Sequence, residues 1–150
     1  MKVFYICRTG HHTSLLAAAI HLGMIKDKPR QAADIYNLSG YDDINLSEIG
    51  KPYVVGVYGD SQVVYTIGVA KENILLARIA DELISLMGVR PGEWQIVDTS
   101  DIISRWTLLG QKIKRTHLHT LCKVFFYLGA RNEWRYLTKL VQHQDNFNPV

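Results

Sequence analysis

Val3-Phe4-Tyr5-Ile6-Cys7-Arg8-Thr9-Gly10-His11-His12-Thr13-Ser14-Leu15-Leu16-Ala17-Ala18-Ala19 is the stretch on which the reading of this chain turns. Val3 to Ile6 is a short β-prone apolar run and reads as a buried strand. Leu15 to Leu22 reads as a helix, and the residues between are small or polar. In α/β proteins a strand, such a loop and a helix beginning at Thr/Ser build an anion site. Unpaired backbone N–H groups and the positive end of the helix dipole converge there on one point. The stretch therefore locates a ligand and gives it a negative charge, without naming a reaction.

Working outward, the first helix is expected from about Ser14 to Met24, with Thr13 or Ser14 as N-cap and Gly23 near its end. Lys26 to Pro52 is polar and broken by Pro29, Gly40 and Gly50, with at most a short helix near Gln31 to Tyr36. Tyr53–Tyr58 and Ser61–Val69 are β-prone runs joined by Gly59-Asp60, a hairpin signal. Glu72 to Met87 has apolar residues at helical spacing and stops at Gly88. Trp94–Val97 reads as a strand ending at Asp98, followed by caps at Thr99, Ser100 and Asp101 for a helix over about Ile102 to Lys114. Its stripe is Ile102, Trp106, Leu109 and Ile113. Val124–Leu128 is expected as a further strand and Asn132–Gln142 as a closing helix, with a polar, frayed tail from His143.

Strands alternating with helices predict a three-layer, Rossmann-like α/β fold, a mainly parallel sheet with an inserted β-hairpin. Val3–Ile6 is expected in its centre. Ligands of such sheets bind beyond the carboxyl ends of the strands, where strand order reverses. Cys7–Ser14 and Asp98–Asp101 both follow strands at that edge.

A chain of 150 residues that is 47% hydrophobic fits one domain with a sizeable core. The net charge of +3 tolerates anionic ligands without calling for nucleic acid. His117 and His119 lie in the basic stretch Lys112–Lys123, which lacks the aromatic-interleaved pattern of an RNA-binding strand. Cys7 and Cys122 are far apart, flanked by apolar residues and without metal-ligand spacing, as suits a reducing cytoplasm. The opening apolar run is too short for a signal segment or membrane span. No metal site and no particular cofactor is indicated.

The chemistry of the loop admits two likenesses. A nucleotide-binding P-loop would put His12 in the lysine place and Thr13 in the magnesium-holding place, with Asp98 as the companion carboxylate; its first glycine and its lysine are missing. Alternatively, Cys7 and Ser14 have the seven-residue spacing of the phosphate loop of low-molecular-weight tyrosine phosphatases. There the residue before the serine is an arginine, here Thr13. Cys7 is then a nucleophile whose thiol the helix N-terminus acidifies, or else the last buried residue of a core strand. His11 and His12 are placed to donate to a ligand or shuttle a proton, whereas His21, deep in an apolar helix, reads as a core histidine bonded to a carbonyl.

Cys7, Gly10, His12, Ser14 and the run Ala17-Ala18-Ala19-Ile20-His21-Leu22-Gly23, with Gly59-Asp60, Asp98 and Leu109-Gly110, carry a resemblance over most of the chain. The chain resembles an uncharacterised domain-of-unknown-function family (number 3189) of spore-forming Firmicutes. The resemblance implies a cytoplasmic α/β domain whose Gly-x-His-[Ser/Thr]-Ser element falls on Gly10, His12, Thr13 and Ser14. It brings no activity with it, and Thr9 and His11 depart from its pattern.

The expectation is a phosphate-bearing small molecule or nucleotide held by Gly10, His11, His12, Thr13 and Ser14. His12, Asp98 and Cys7 are the candidate catalytic residues. The alternative is a non-enzymatic interaction module in which the loop only caps a helix. An exposed apolar patch near the Tyr53–Tyr65 hairpin, with a filled first loop, favours that alternative, and a sulfate, phosphate or open pocket at Gly10–Ser14 favours ligand binding.

Overall fold

The computed structural model describes residues 1–38, 41, 49–70, 90, 92–114 and 118–147. The helix expected over 72–87, and His117, lie outside these residues. The described elements are β1 (Lys2–Cys7), α1 (Thr13–His21), α2 (Ala33–Tyr36), β2 (Tyr53–Tyr58), β3 (Gln62–Gly68), β4 (Trp94–Asp98), a 3₁₀ turn (Ser100–Ile102), α3 (Arg105–Ile113) and α4 (His119–Phe147). They form an α/β fold with an open four-stranded sheet in the order β2-β3-β1-β4.

β1 pairs in parallel with β3 on one side and β4 on the other, and β2 runs antiparallel to β3. Val3, Tyr5, Ile6 and Cys7 are buried and Phe4 is half-buried, as suits the inner position of β1 between β3 and β4. Phe4 stacks on Tyr65 of β3, its register partner, with ring centroids 4.7 Å apart. The chain leaves β1 and returns once on each side of it. Strand order thus reverses at the carboxyl end of β1, where a ligand site belongs in such a sheet.

α1 is shorter than its sequence suggests. Its N-cap is His12, with no side-chain cap, and its C-cap is Leu22, beyond which Gly23 turns left-handed at φ +67°. The Thr13 and Ser14 hydroxyls face across the sheet instead of capping. Ala17, Ala18 and Ala19 are fully buried and bring the helix close to the strands.

The strand expected at Val124–Leu128 does not exist. That segment lies within α4, one helix of 29 residues, which also absorbs the closing helix and continues past His143 to Phe147. Cys122, Phe126, Ala130, Glu133, Leu137 and Val141 form its buried stripe, at spacings of three and four, with Gly129 buried beside it. The parallel partner opposite β4 is β3.

The helix expected over Ile102–Lys114 is also divided. Ser104, whose side chain accepts the Thr107 N–H, caps α3, and residues 100–102 form the 3₁₀ turn before it. α3 packs on α4 through two glycines. A Cβ on Gly110 would lie 2.8 Å from the Phe126 ring, and one on Gly129 would run into Thr107. Beneath this contact the Glu133 carboxylate accepts the Ser104 N–H at 2.7 Å and the Thr107 hydroxyl at 2.6 Å. Burial pushes this carboxyl above the usual range against those hydrogen bonds. Among the described residues no helix is long and apolar enough to cross a membrane.

Candidate functional site: the loop after β1

The loop from Arg8 to His12 folds back on the end of β3. Gly10 has φ +79°, and a Cβ there would lie 2.5 Å from the Gly68 backbone nitrogen; a Cβ on Gly68 would meet Thr9 O at 2.8 Å. Only a pair of glycines lets these two backbones touch. Two further bonds fix the contact, Val69 N–H to Cys7 O and Ala70 N–H to Arg8 O, each 3.0 Å. Ala70 itself is held at φ +54°, a left-handed conformation that alanine adopts at a cost.

This fold places the Cys7 sulfur where the loop's donors converge. The Gly10 N–H donates to Sγ at 3.1 Å, and the Ser14 hydroxyl lies 3.1 Å from it. Thr66 of β3 holds Ser14 and the loop together, its hydroxyl donating to Gly10 O at 2.6 Å and sitting 2.6 Å from Ser14 Oγ. On the other side the Thr99 hydroxyl donates to Ile6 O at 2.9 Å and lies 3.2 Å from Thr13 Oγ1. Burial pushes the Cys7 thiol up, but the bonds from Ser14, Thr13 and the Thr9 backbone outweigh it and hold the thiol below its ordinary value.

Above the sulfur lies a pocket of about 360 Å³, lined by Cys7, Arg8, Thr9 and Thr13 from the loop and by Ala70, Ser100, Asp101, Ile103 and Leu108. The loop after β1 and the turn after β4 therefore meet at one cavity. The acid lining it is Asp101. Asp98 is exposed, and its carboxylate accepts the Ser100 N–H at 2.8 Å, fixing the turn that carries Asp101.

The histidines point elsewhere. His12 is 2% exposed, with its ring 4.5 Å from that of Phe126 and 5.7 Å from that of Tyr41. Its Nδ1 lies 3.0 Å from Thr9 Oγ1 and 3.4 Å from the Gln111 side chain. Burial, then the charges of His11 and Lys114, hold this imidazole well below its usual range, so it is neutral. His12, expected to donate to a ligand from the loop, thus packs its ring into the core. His11 Nδ1 donates to Thr9 O at 2.8 Å and braces the loop.

His21 belongs to the core, with different partners from the carbonyl expected. Tyr5 OH lies 2.7 Å from its Nδ1 and Gln62 Oε1 3.0 Å from its Nε2. An amide oxygen can only accept, so Nε2 carries the proton and Nδ1 accepts from tyrosine.

Thr66 escapes sequence reasoning, in which Thr99 and Asp101 are only helix caps and Thr9 only part of the loop. Asp101 alone had a signal, standing three residues after Asp98 at the same sheet edge. Of the features set to separate ligand binding from an interaction module, the open pocket and the exposed hairpin patch occur and the filled first loop does not. The loop has an open pocket, and Tyr53, Val54, Val57 and Tyr58 of β2 are exposed. Among the described residues no group of three or more His, Cys, Asp and Glu side chains is placed to hold a metal ion.

No curated protein and no solved structure matches the chain. A family model does, that of "Protein of unknown function (DUF3189)", over residues 2–145. With nearly all of its length under that model, from the first residues of β1 to the last turns of α4, the chain belongs to the DUF3189 family.

Proposed function

We propose that the pocket over Cys7 binds a small phosphate-bearing molecule and that Cys7 is the nucleophile that attacks it. One observation carries this reading. A buried sulfur accepts a backbone N–H at 3.1 Å and stands 3.1 Å from a serine hydroxyl, at the head of a helix and on the floor of an open cavity. A merely structural cysteine has no need of donors. Arg8 supplies a cation at the same pocket and the α1 N-terminus a positive dipole end. The guanidinium that phosphatase loops carry before the serine is replaced by Thr13, which leaves Arg8 to grip the phosphoryl oxygens.

In the step proposed, a Cys7 S–P bond forms as the phosphoryl P–O ester bond breaks. The leaving oxygen takes a proton from Asp101, and water then hydrolyses the thiophosphate to release inorganic phosphate. Asp98 and His12 are positioning residues, the first for the Asp101 turn and the second for Thr9. Gly10, His11, Thr13 and Ser14 shape the loop around the sulfur. The finer architecture belongs to the same proposal: a single three-layer domain over 1–150 with β2–β3 as an inserted hairpin, working in the cytoplasm.

The test is alkylation of Cys7 by iodoacetamide as a function of pH, with and without inorganic phosphate, beside turnover of para-nitrophenyl phosphate. Cys7 should react at lower pH than an ordinary thiol and faster than buried Cys122, phosphate should slow it, and Cys7→Ser should abolish turnover. Reaction of Cys7 no faster than Cys122, with no protection by phosphate, overturns the proposal.

A further inference from the structure

The α3–α4 pair presents to solvent an apolar face that includes Trp106 and Leu109 of the stripe expected to be buried. Trp106 and Leu109 of α3 are 44% and 38% exposed, as are Leu118, just before α4, at 55% and Leu121 and Val124 in its first turns at 44% and 47%. The two helices join into one apolar surface where Trp106 stacks on Phe125, ring centroids 5.7 Å apart and planes 17° from parallel. These residues follow at spacings of three, a stripe beside the buried one formed by Thr107 and Gly110 on α3 and by Cys122 and Phe126 on α4.

The charge of this region is one-sided. Between Asp101 and Glu133 there is no acidic residue, while Arg105, Lys112, Lys114, Arg115, Lys123 and Arg131 are all basic. The whole chain carries only +3, so the remainder is net acidic. Arg105 and Lys112 are exposed and stand four residues before and three after Leu109, beside the apolar stripe on α3. A second copy of this face would bring like charges together, which disfavours self-association. The fitting occupant is anionic on its surface and apolar beneath it.

We propose that the α3–α4 face docks on an anionic lipid surface. Trp106, Leu109, Leu121 and Val124 enter the boundary between headgroups and acyl chains, and Arg105 and Lys112 reach the lipid phosphates. A tryptophan with one face against protein and its other edge exposed suits that boundary. The face consists of helix ridges, and the pocket over Cys7 does not reach it. A fluid surface conforms to ridges, whereas a folded partner needs matching shape. The association is peripheral and independent of the chemistry at Cys7.

The full chain is sedimented with vesicles of phosphatidylglycerol and phosphatidylcholine in equal parts, and with phosphatidylcholine alone. Binding is expected to the anionic vesicles only, to weaken with added salt, and to shift tryptophan emission to the blue in a way that Trp106→Phe removes. Leu109→Glu and Val124→Glu should each lower the partition coefficient roughly tenfold or more while leaving the melting temperature near that of wild type. Val57→Glu, on the exposed strand β2, should bind as wild type does. Equal binding to neutral vesicles overturns the proposal. So does absence of vesicle binding, whether the face then proves to hold a second copy, seen as a dimer that Leu109→Glu dissolves, or an acidic polypeptide, seen as salt-sensitive retention on polyglutamate.

Discussion

Replacing Glu133 separates its two roles, as hydrogen-bond acceptor and as buried charge. In Glu133→Ala the Ser104 N–H loses its acceptor inside the protein, a loss that costs about 1–3 kcal/mol for a buried donor. The Thr107 hydroxyl suffers less, since Ser104 Oγ stands 3.2 Å away. Truncation also strips apolar stem from a residue that is 2% exposed, at about 0.8 kcal/mol per methylene. The expected loss is about 2–4 kcal/mol. Glu133→Gln keeps a carbonyl oxygen for both donors and removes the ionisation. Because burial raises the folded pKa above the unfolded one, the stability contributed by wild-type Glu133 is complete below the unfolded pKa and is lost as pH rises through the folded one. Glu133→Gln should therefore match wild type at about pH 4, below the unfolded value, and surpass it at about pH 8, while Glu133→Ala stays below both throughout. Urea unfolding of the three proteins at each pH measures this. A glutamine variant as unstable as the alanine variant at both pH values would refute the reasoning.

Gly10→Ala should cost several kcal/mol, about 3 or more, because it combines a left-handed backbone with a 2.5 Å approach to the rigid Gly68 backbone; thermal unfolding reads it directly. His12→Ala should lower stability by about 2–4 kcal/mol through loss of packing on Phe126 and Tyr41, measurable without any ligand. Because the folded His12 pKa is depressed, wild type should also lose stability as pH falls below the unfolded imidazole value, and His12→Gln should lose less over that window. For Cys7 the folded pKa is depressed as well, and here the charged form is the one favoured. The stability gap between wild type and Cys7→Ser should widen as pH rises toward the unfolded thiol value and narrow as pH falls, followed by melting temperature in thiol-free buffer.

The strands that border the site were legible because their signals are local. Val3–Ile6, Tyr53–Tyr58 and Trp94–Val97 are short β-prone runs bounded by turn residues, and each appears within a residue or so of its expected place. Val124-Phe125-Phe126-Tyr127-Leu128 has the same local look and is helical all the same. Its β-prone side chains hide a helical period that emerges only across Cys122, Phe126, Ala130 and Leu137, and periodicity over five residues cannot arbitrate. At the site, the position of the loop followed from strand–loop–helix order, but the direction of each side chain did not. Whether His12 faced the pocket or Phe126 depended on a helix more than a hundred residues away in the chain, which the sequence reading had broken by a strand. Thr66 and Thr99 reach the loop through strand register, a long-range property with no local trace.

The parallel pairing of β1 has a consequence for how the chain is made. During synthesis β1 emerges first, yet its partners on either side are β3 and β4, the farther ending at Asp98. At about 5–20 residues per second a ribosome needs roughly 5–20 s to bring both out. Until β3 is made, Val-Phe-Tyr-Ile-Cys is an apolar strand with both edges open, and until β4 is made one edge stays open, the kind of segment that chaperones hold and aggregates recruit. Yield in the cell should therefore respond to the pace of translation between Gly68 and Trp94 more than to substitutions that change the final stability by the same amount.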